Sequence, residues 1–136
     1  LSELLLTLPV RVYYEDTDAG GVVYHARYLH FFERARTEYL RTLNFSQQML
    51  LERKIAFVVK SMGIDYLYPA KLDDYLIVNT KVTAVKGASI FFEQTLNRDS
   101  LILSKATVKV ACVDLEKMKA IAIPEEVQAA FKHLLN

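Results

Sequence analysis

The chain has no tryptophan, one cysteine, three prolines and four glycines in 136 residues, and its 17 basic side chains nearly cancel its 16 acidic ones. Each scarcity removes a class of function. Cys112 alone makes no internal disulfide, and with only His25, His30 and His133 beside it no structural zinc spacing can be assembled. A reducing, cytoplasmic setting is the expectation. A formal net charge of +1 gives no field for gripping a phosphate backbone or an anionic membrane, so nucleic acid is not an expected partner. No uninterrupted apolar run approaches the roughly 18 residues of a membrane helix. Residues 1–8 are apolar, yet they lack the basic start and the apolar length of a secretory leader. The expectation is a soluble protein without a transmembrane segment. The chain does not begin with Met, so Leu1 is not read as the native start. One Gly-Gly pair, Gly20-Gly21, and three scattered prolines leave no flexible linker, which predicts one domain over residues 1–136.

What is present is patterning. Val10, Val12 and Tyr14 recur at every second position, the period of a half-buried strand. From Tyr24 the step lengthens: Tyr24, Tyr28, Phe31, Ala35, Tyr39 and Leu43 share one face of a helix of about five turns. Glu33, Arg34, Arg36 and Glu38 are expected on a solvated or ion-paired face. A short helix over 47–54 follows Ser46 as N-cap. Strands are predicted over 55–68, 75–86, 88–98 and 101–115, with short turns at Lys86-Gly87 and at 97–100 that make neighbours antiparallel. In the last of them Ala106, Val108, Val110 and Cys112 share a face. Pro124 and Glu125-Glu126 open a terminal helix whose stripe is Val127, Ala130, Phe131 and Leu134. A long apolar-striped helix covering one face of an antiparallel sheet is an α+β fold, with the sheet curled around the helix. Residues 55–59 are apolar at more positions than one buried face requires, so a partner chain is expected there.

Residues 15–25 concentrate acids, glycines and a histidine between the first strand and the long helix. A carboxylate can face a substrate, glycines admit close backbone approach, and a helix start offers free N–H groups. Such N–H groups stabilise the oxygen that turns negative when a carbonyl is attacked. Acyl transfer is the chemistry this combination suits. A carboxylate near a helix N-terminus also favours its ionised form, as a nucleophile or a general base requires.

The run from Arg11 to Tyr28, continued by Phe32-Glu33-Arg34-Ala35-Arg36, resembles the signature of the 4-hydroxybenzoyl-CoA thioesterase family. Within that family it is similar to the Tol-Pal-associated acyl-CoA thioesterases. The likeness extends through Phe57-Val58-Val59, Lys71-Leu72-Asp73-Asp74, Cys112-Val113-Asp114 and Lys117-Met118-Lys119, and so covers nearly the whole chain. It implies a hotdog fold, a long central helix wrapped by a five-stranded antiparallel sheet, with dimers joined sheet edge to sheet edge and often paired further into a homotetramer, so the expected homo-oligomer is a dimer or a tetramer. It implies an acyl-CoA thioesterase that needs no metal or redox cofactor. Asp18 then falls at the catalytic carboxylate, the backbone N–H of His25 at the oxyanion donor, and Tyr24, Lys86 and Ser89 at substrate contacts. Acyl carrier protein is a further partner the resemblance raises.

Blander readings stand beside these. Asp18 alone could cap a turn, and Asp16 is expected to hold that turn through backbone amides. The His25 ring suits packing as well as proton transfer, and His30 suits packing or surface. Lys117 and Lys119 read as solvated charges, and Cys112 as a small buried hydrophobe. The rival function is a non-catalytic acyl-CoA or acyl-carrier-protein binding module. A dehydratase would need a histidine opposite an acid, for which the sequence offers no placement.

Overall fold

The computed structural model describes residues 5–135. Residues 1–4 and 136 and the side chains of 134 and 135 lie outside the described residues. With them go half of the apolar run 1–8 and the place of Leu134 on the terminal stripe.

Strand β1 (Leu5–Arg11) passes through a 3-10 turn (Tyr14–Asp16) to helix α1 (Arg27–Thr42). Helix α2 (Gln47–Glu52), strands β2 (Ile55–Tyr66), β3 (Tyr75–Lys86), β4 (Ser89–Arg98), β5 (Leu101–Asp114) and β6 (Lys119–Ala120), and helix α3 (Glu125–Leu135) follow. The sheet runs β1-β3-β4-β5-β2 with every pairing antiparallel. The expectation of five strands needs correction, because β6 makes a sixth by pairing Val113 with Ala120 and Asp114 with Lys119. Asp114 builds the reversal: its Oδ1 accepts from the N–H groups of Glu116 (2.8 Å) and Lys117 (3.2 Å), and Met118 takes a φ of 52°.

The helix is shorter than its stripe. Tyr24 lies outside α1 because the N–H groups of Val23 and Tyr24 are taken by the carbonyls of Ala70 (2.8 Å) and Asp16 (3.0 Å), which holds that stretch extended. At the far end Asn44, at φ 68°, stops the helix just past Leu43. Tyr28, Phe31, Phe32, Ala35, Tyr39 and Leu40 share one core with Val78, Val82, Ile90, Phe92, Leu96 and Val108 of the sheet.

Arg36 departs from its expected place on a solvated face. It is 8% exposed, one turn beyond Phe32 on the covered side of α1. Its Nη1 donates to Gln94 Oε1 at 3.0 Å, and Gln94 Nε2 donates to Phe32 O (2.9 Å) and Thr80 Oγ1 (2.8 Å). Burial lowers the Arg36 pKa against the opposing pull of Glu33.

β2 ends the sheet order, so its outer side has no strand partner among the described residues. Val58 and Val59 on it are 43% and 48% exposed, which is the apolar excess read at 55–59. No described helix is long and apolar enough to cross a membrane.

Candidate active site

The segment between β1 and α1 is fixed at nearly every residue. Val12 is fully buried, its N–H donating to Asp74 O (2.9 Å) and its carbonyl accepting from Asp73 N–H (3.0 Å). Asp16 is buried, with Oδ2 accepting from Tyr13 N–H (2.9 Å) and Oδ1 from Arg27 Nε (2.8 Å), while Arg27 also pairs with Glu15. That arrangement anchors the turn, as the sequence expected of Asp16. The bond to Asp16, above all, raises the Arg27 pKa, burial opposing it.

From Thr17 the chain makes a narrow tongue that closes on itself at a Thr17–Val23 bridge. Asp18 N–H donates to Val22 O (2.9 Å) and Gly21 N–H to Asp18 O (3.1 Å). Gly21 takes a φ of 79°, which a side chain would strain. A Val22–Lys71 bridge and a bond from Leu72 N–H to Gly21 O (3.1 Å) tie the tongue to the approach to β3.

Asp18 stands exposed on this tongue. Its Oδ1 accepts from Gly20 N–H at 2.8 Å, and its Oδ2 has no partner among the described residues. His25 is exposed in the turn just before α1, two residues short of the first helical turn in which it was expected. The N–H groups of Arg27, Tyr28 and Leu29 are taken by the carbonyls of Tyr24 (2.8 Å), His25 (3.3 Å) and Ala26 (3.2 Å). Those of His25 and Ala26 meet no acceptor among the described residues. Two adjacent amides are therefore left for a ligand oxygen. Tyr24 is 51% exposed, with its ring 4.6 Å from that of His25.

Lys86 and Ser89 form the closing pair of the β3–β4 hairpin, where Gly87 takes a φ of 58°. Lys86 Nζ lies 5.9 Å from the Phe91 ring centroid. The Asp18 tongue is tied to Lys71 and Leu72, at the other end of β3. Twelve residues of β3 separate the two ends, roughly 36 Å at 3.3 Å per step. Within one chain, Lys86 and Ser89 sit at the opposite end of β3 from the Asp18 tongue. Cys112 is fully buried, and burial pushes its thiol pKa up. Sequence reasoning passed over Tyr66, whose hydroxyl donates to the His25 carbonyl at 3.0 Å from 41 residues away. Its strand pattern gives no signal for so distant a partner.

A family described as the thioesterase-like superfamily matches residues 12–131. The chain belongs to that superfamily. The resemblance carried by residues 11–36 is thereby borne out. This superfamily member is 74% identical over 129 residues, 94% of its length and 95% of the relative's, to acyl-CoA thioesterase YbgC of Haemophilus influenzae. It is 51% identical over 133 residues, 97% of its length and 99% of the relative's, to acyl-CoA thioester hydrolase YbgC of Escherichia coli. Among solved structures it is similar to a probable thioesterase from Bartonella henselae, with a TM-score of 0.84 at 38% identity over 89% of this chain and all of that one. It also superposes on a 1,4-dihydroxy-2-naphthoyl-CoA thioesterase from Synechocystis, with a TM-score of 0.88 at 25% identity over 97% and 98% of the two chains.

Proposed function

We propose that this protein is an acyl-CoA thioesterase in which Asp18 is the nucleophile or general base and the His25 N–H is the oxyanion donor. One observation carries the reading. An exposed carboxylate, with one oxygen fixed by Gly20 and the other unpartnered among the described residues, shares a pinned segment with two amides that meet no acceptor among those residues. As nucleophile, Asp18 attacks the thioester carbon, the C–S bond breaks, the thiolate takes a proton, and water then cleaves the mixed anhydride. As general base, Asp18 takes a proton from water, which attacks in its place. Either way negative charge grows on the carbonyl oxygen, and one amide aimed at it contributes about 2.7–4 kcal/mol to the transition state.

Tyr24, beside His25, lines the approach in this reading. Lys86 and Ser89 join from a second copy. The hairpin that holds them is bonded to the Ile55 end of the sheet edge through β5, since Cys112 N–H donates to Ala88 O and Cys112 pairs with Phe57. Tyr66, at the other end of β2, touches His25. Two copies paired antiparallel along β2 reverse those ends, so one protomer's hairpin approaches the other's Asp18 tongue. A homodimer is the smallest unit this reading requires.

The test is steady-state hydrolysis of short aliphatic, long aliphatic and aromatic acyl-CoA, with an acyl carrier protein thioester alongside, for wild type and Asp18→Asn. Wild type is expected to release thiol, and the variant to lose about a hundredfold or more in kcat. Near-normal turnover by Asp18→Asn removes the assignment. Binding of several thioesters without hydrolysis of any would make the protein a binding module.

A further inference from the structure

Tyr66 closes β2 beside the turn that precedes α1. Its hydroxyl donates to the His25 carbonyl oxygen at 3.0 Å, and the Tyr28 N–H reaches the same oxygen at 3.3 Å. The Tyr66 ring packs edge-on against Tyr28, with centroids 5.0 Å apart and planes at 82°. Tyr28 is itself buried, its hydroxyl accepting from Ala70 N–H at 3.0 Å, so the phenol is aimed by a fixed neighbour. Desolvation, with Tyr28 adding to it, raises the Tyr66 pKa, and the hydroxyl remains a donor at neutral pH.

The carbonyl that Tyr66 holds belongs to the same planar trans peptide as the Ala26 N–H, which points the opposite way. A donor on the carbonyl side polarises the peptide and strengthens its N–H, by about 10–30% per bond. We infer that Tyr66 is a positioning residue for the oxyanion turn: its bond to the His25 carbonyl fixes the 25–26 peptide and makes the Ala26 N–H a second donor beside that of His25. The inference rests on the thioesterase reading above. It places a β2 residue in control of an amide that belongs to the approach to α1.

Tyr66→Phe deletes the hydroxyl and keeps the ring. The expected result is a kcat about two- to eightfold lower with KM within twofold, an unchanged melting temperature, and an upfield shift of the Ala26 amide proton. A raised KM with kcat preserved makes Tyr66 a substrate contact, and a lowered melting temperature with kcat preserved makes the hydroxyl structural; either overturns the inference. Ala26→Pro removes the donor itself; because Ala26 is the third residue of the turn closed by Arg27 N–H on Tyr24 O, where proline also presses on the His25 conformation, retained activity is its decisive result. It is expected to lose about a hundredfold in kcat, and near-wild-type kcat overturns the second donor whether or not Tyr66→Phe folds well. A fully active Asp18→Asn or a wild type that hydrolyses no thioester sinks the thioesterase reading as well. Wild-type kcat in Tyr66→Phe, in an enzyme that needs Asp18, sinks this inference alone.

Discussion

Gln94→Leu should be the most damaging near-isosteric change in the sheet. Gln94 is 1% exposed on β4 and bridges α1 to β3: Nε2 donates to Phe32 O and Thr80 Oγ1, and Oε1 accepts from Arg36 Nη1. The three partners lose unequally. Phe32 O sits inside α1 and keeps its helical bond, so its loss is small. Thr80 is fully buried, and an orphaned hydroxyl there costs about 1–3 kcal/mol. Arg36 loses its acceptor while 8% exposed, and a bond to a charged group contributes about 1.5–3 kcal/mol. Against these, the leucine gains about 1–1.5 kcal/mol from replacing a polar group by apolar surface. The net expectation is a destabilisation of roughly 1–5 kcal/mol.

For a chain of this length that is a fall of about 4–20 °C in Tm, at about 4 °C per kcal/mol. Urea denaturation at one fixed protein concentration should show a lower midpoint with an unchanged slope. Adding Thr80→Val should recover part of the loss, with a coupling of about 1 kcal/mol, because both ends of one bond are then apolar. A Gln94→Leu destabilisation below about 0.5 kcal/mol would refute the reasoning, since it would mean that Arg36 and Thr80 find water or other partners at no cost.

Two other outcomes follow from surface features. Val59→Lys puts a charge on the open edge of β2, where Val59 is 48% exposed, and lysine on a strand edge opposes pairing. Sedimentation should show a shift to monomer together with loss of thioester hydrolysis, and an unchanged particle mass would exclude β2 as the shared edge. Glu126, in the first turn of α3, has its pKa lowered first by backbone hydrogen bonding there and second by Arg53. A lowered carboxylate pKa stabilises the folded chain above the unfolded value of about 4.3 and stops doing so as pH falls through the lower folded value. The stability gap between wild type and Glu126→Gln should therefore be constant near neutrality and close in acid; a gap independent of pH would show that the charge of Glu126 is not what stabilises.

Much of the fold was legible because its signals are local. The three-and-four spacing from Tyr28 to Tyr39 and the alternation from Ala106 to Cys112 each report one covered face, and each face is covered; of the alternation at Val10, Val12 and Tyr14, the first two are buried, but the strand ends at Arg11 and Tyr14 stands exposed in the 3-10 turn. Arg36 was misread for the converse reason. A charged residue one turn beyond Phe32 looks like part of a solvated stripe, and only the curl of the sheet over a wider arc of α1, with Gln94 supplying an acceptor, makes its burial tolerable. The two-residue β6 is shorter than any periodicity can register, and depends on Asp114 caps and the positive φ of Met118. In the site, Asp18 and His25 were read from one contiguous run. The distance to Lys86 was not readable, because it is set by the length of β3 and by which end of it the tongue is tied to.

The tongue has to satisfy two opposed requirements, and its bonding pattern divides them between neighbouring residues. A helix start ordinarily leaves four N–H groups without intrahelical partners, and a ligand oxygen can use only those that converge on it. Here the turn from Tyr24 to Ala26 satisfies Arg27, Tyr28 and Leu29 from its own carbonyls, and Asp16 and Ala70 take Tyr24 and Val23. What remains open among the described residues is the adjacent pair at His25 and Ala26. Rigidity on both sides of that pair keeps the reorganisation needed at the moment of reaction small, which is the condition under which amide dipoles stabilise developing charge more than water does. Loosening the frame at Tyr66 should therefore appear in kcat, whereas loosening it at Gln94, on the far side of α1, should appear first in stability.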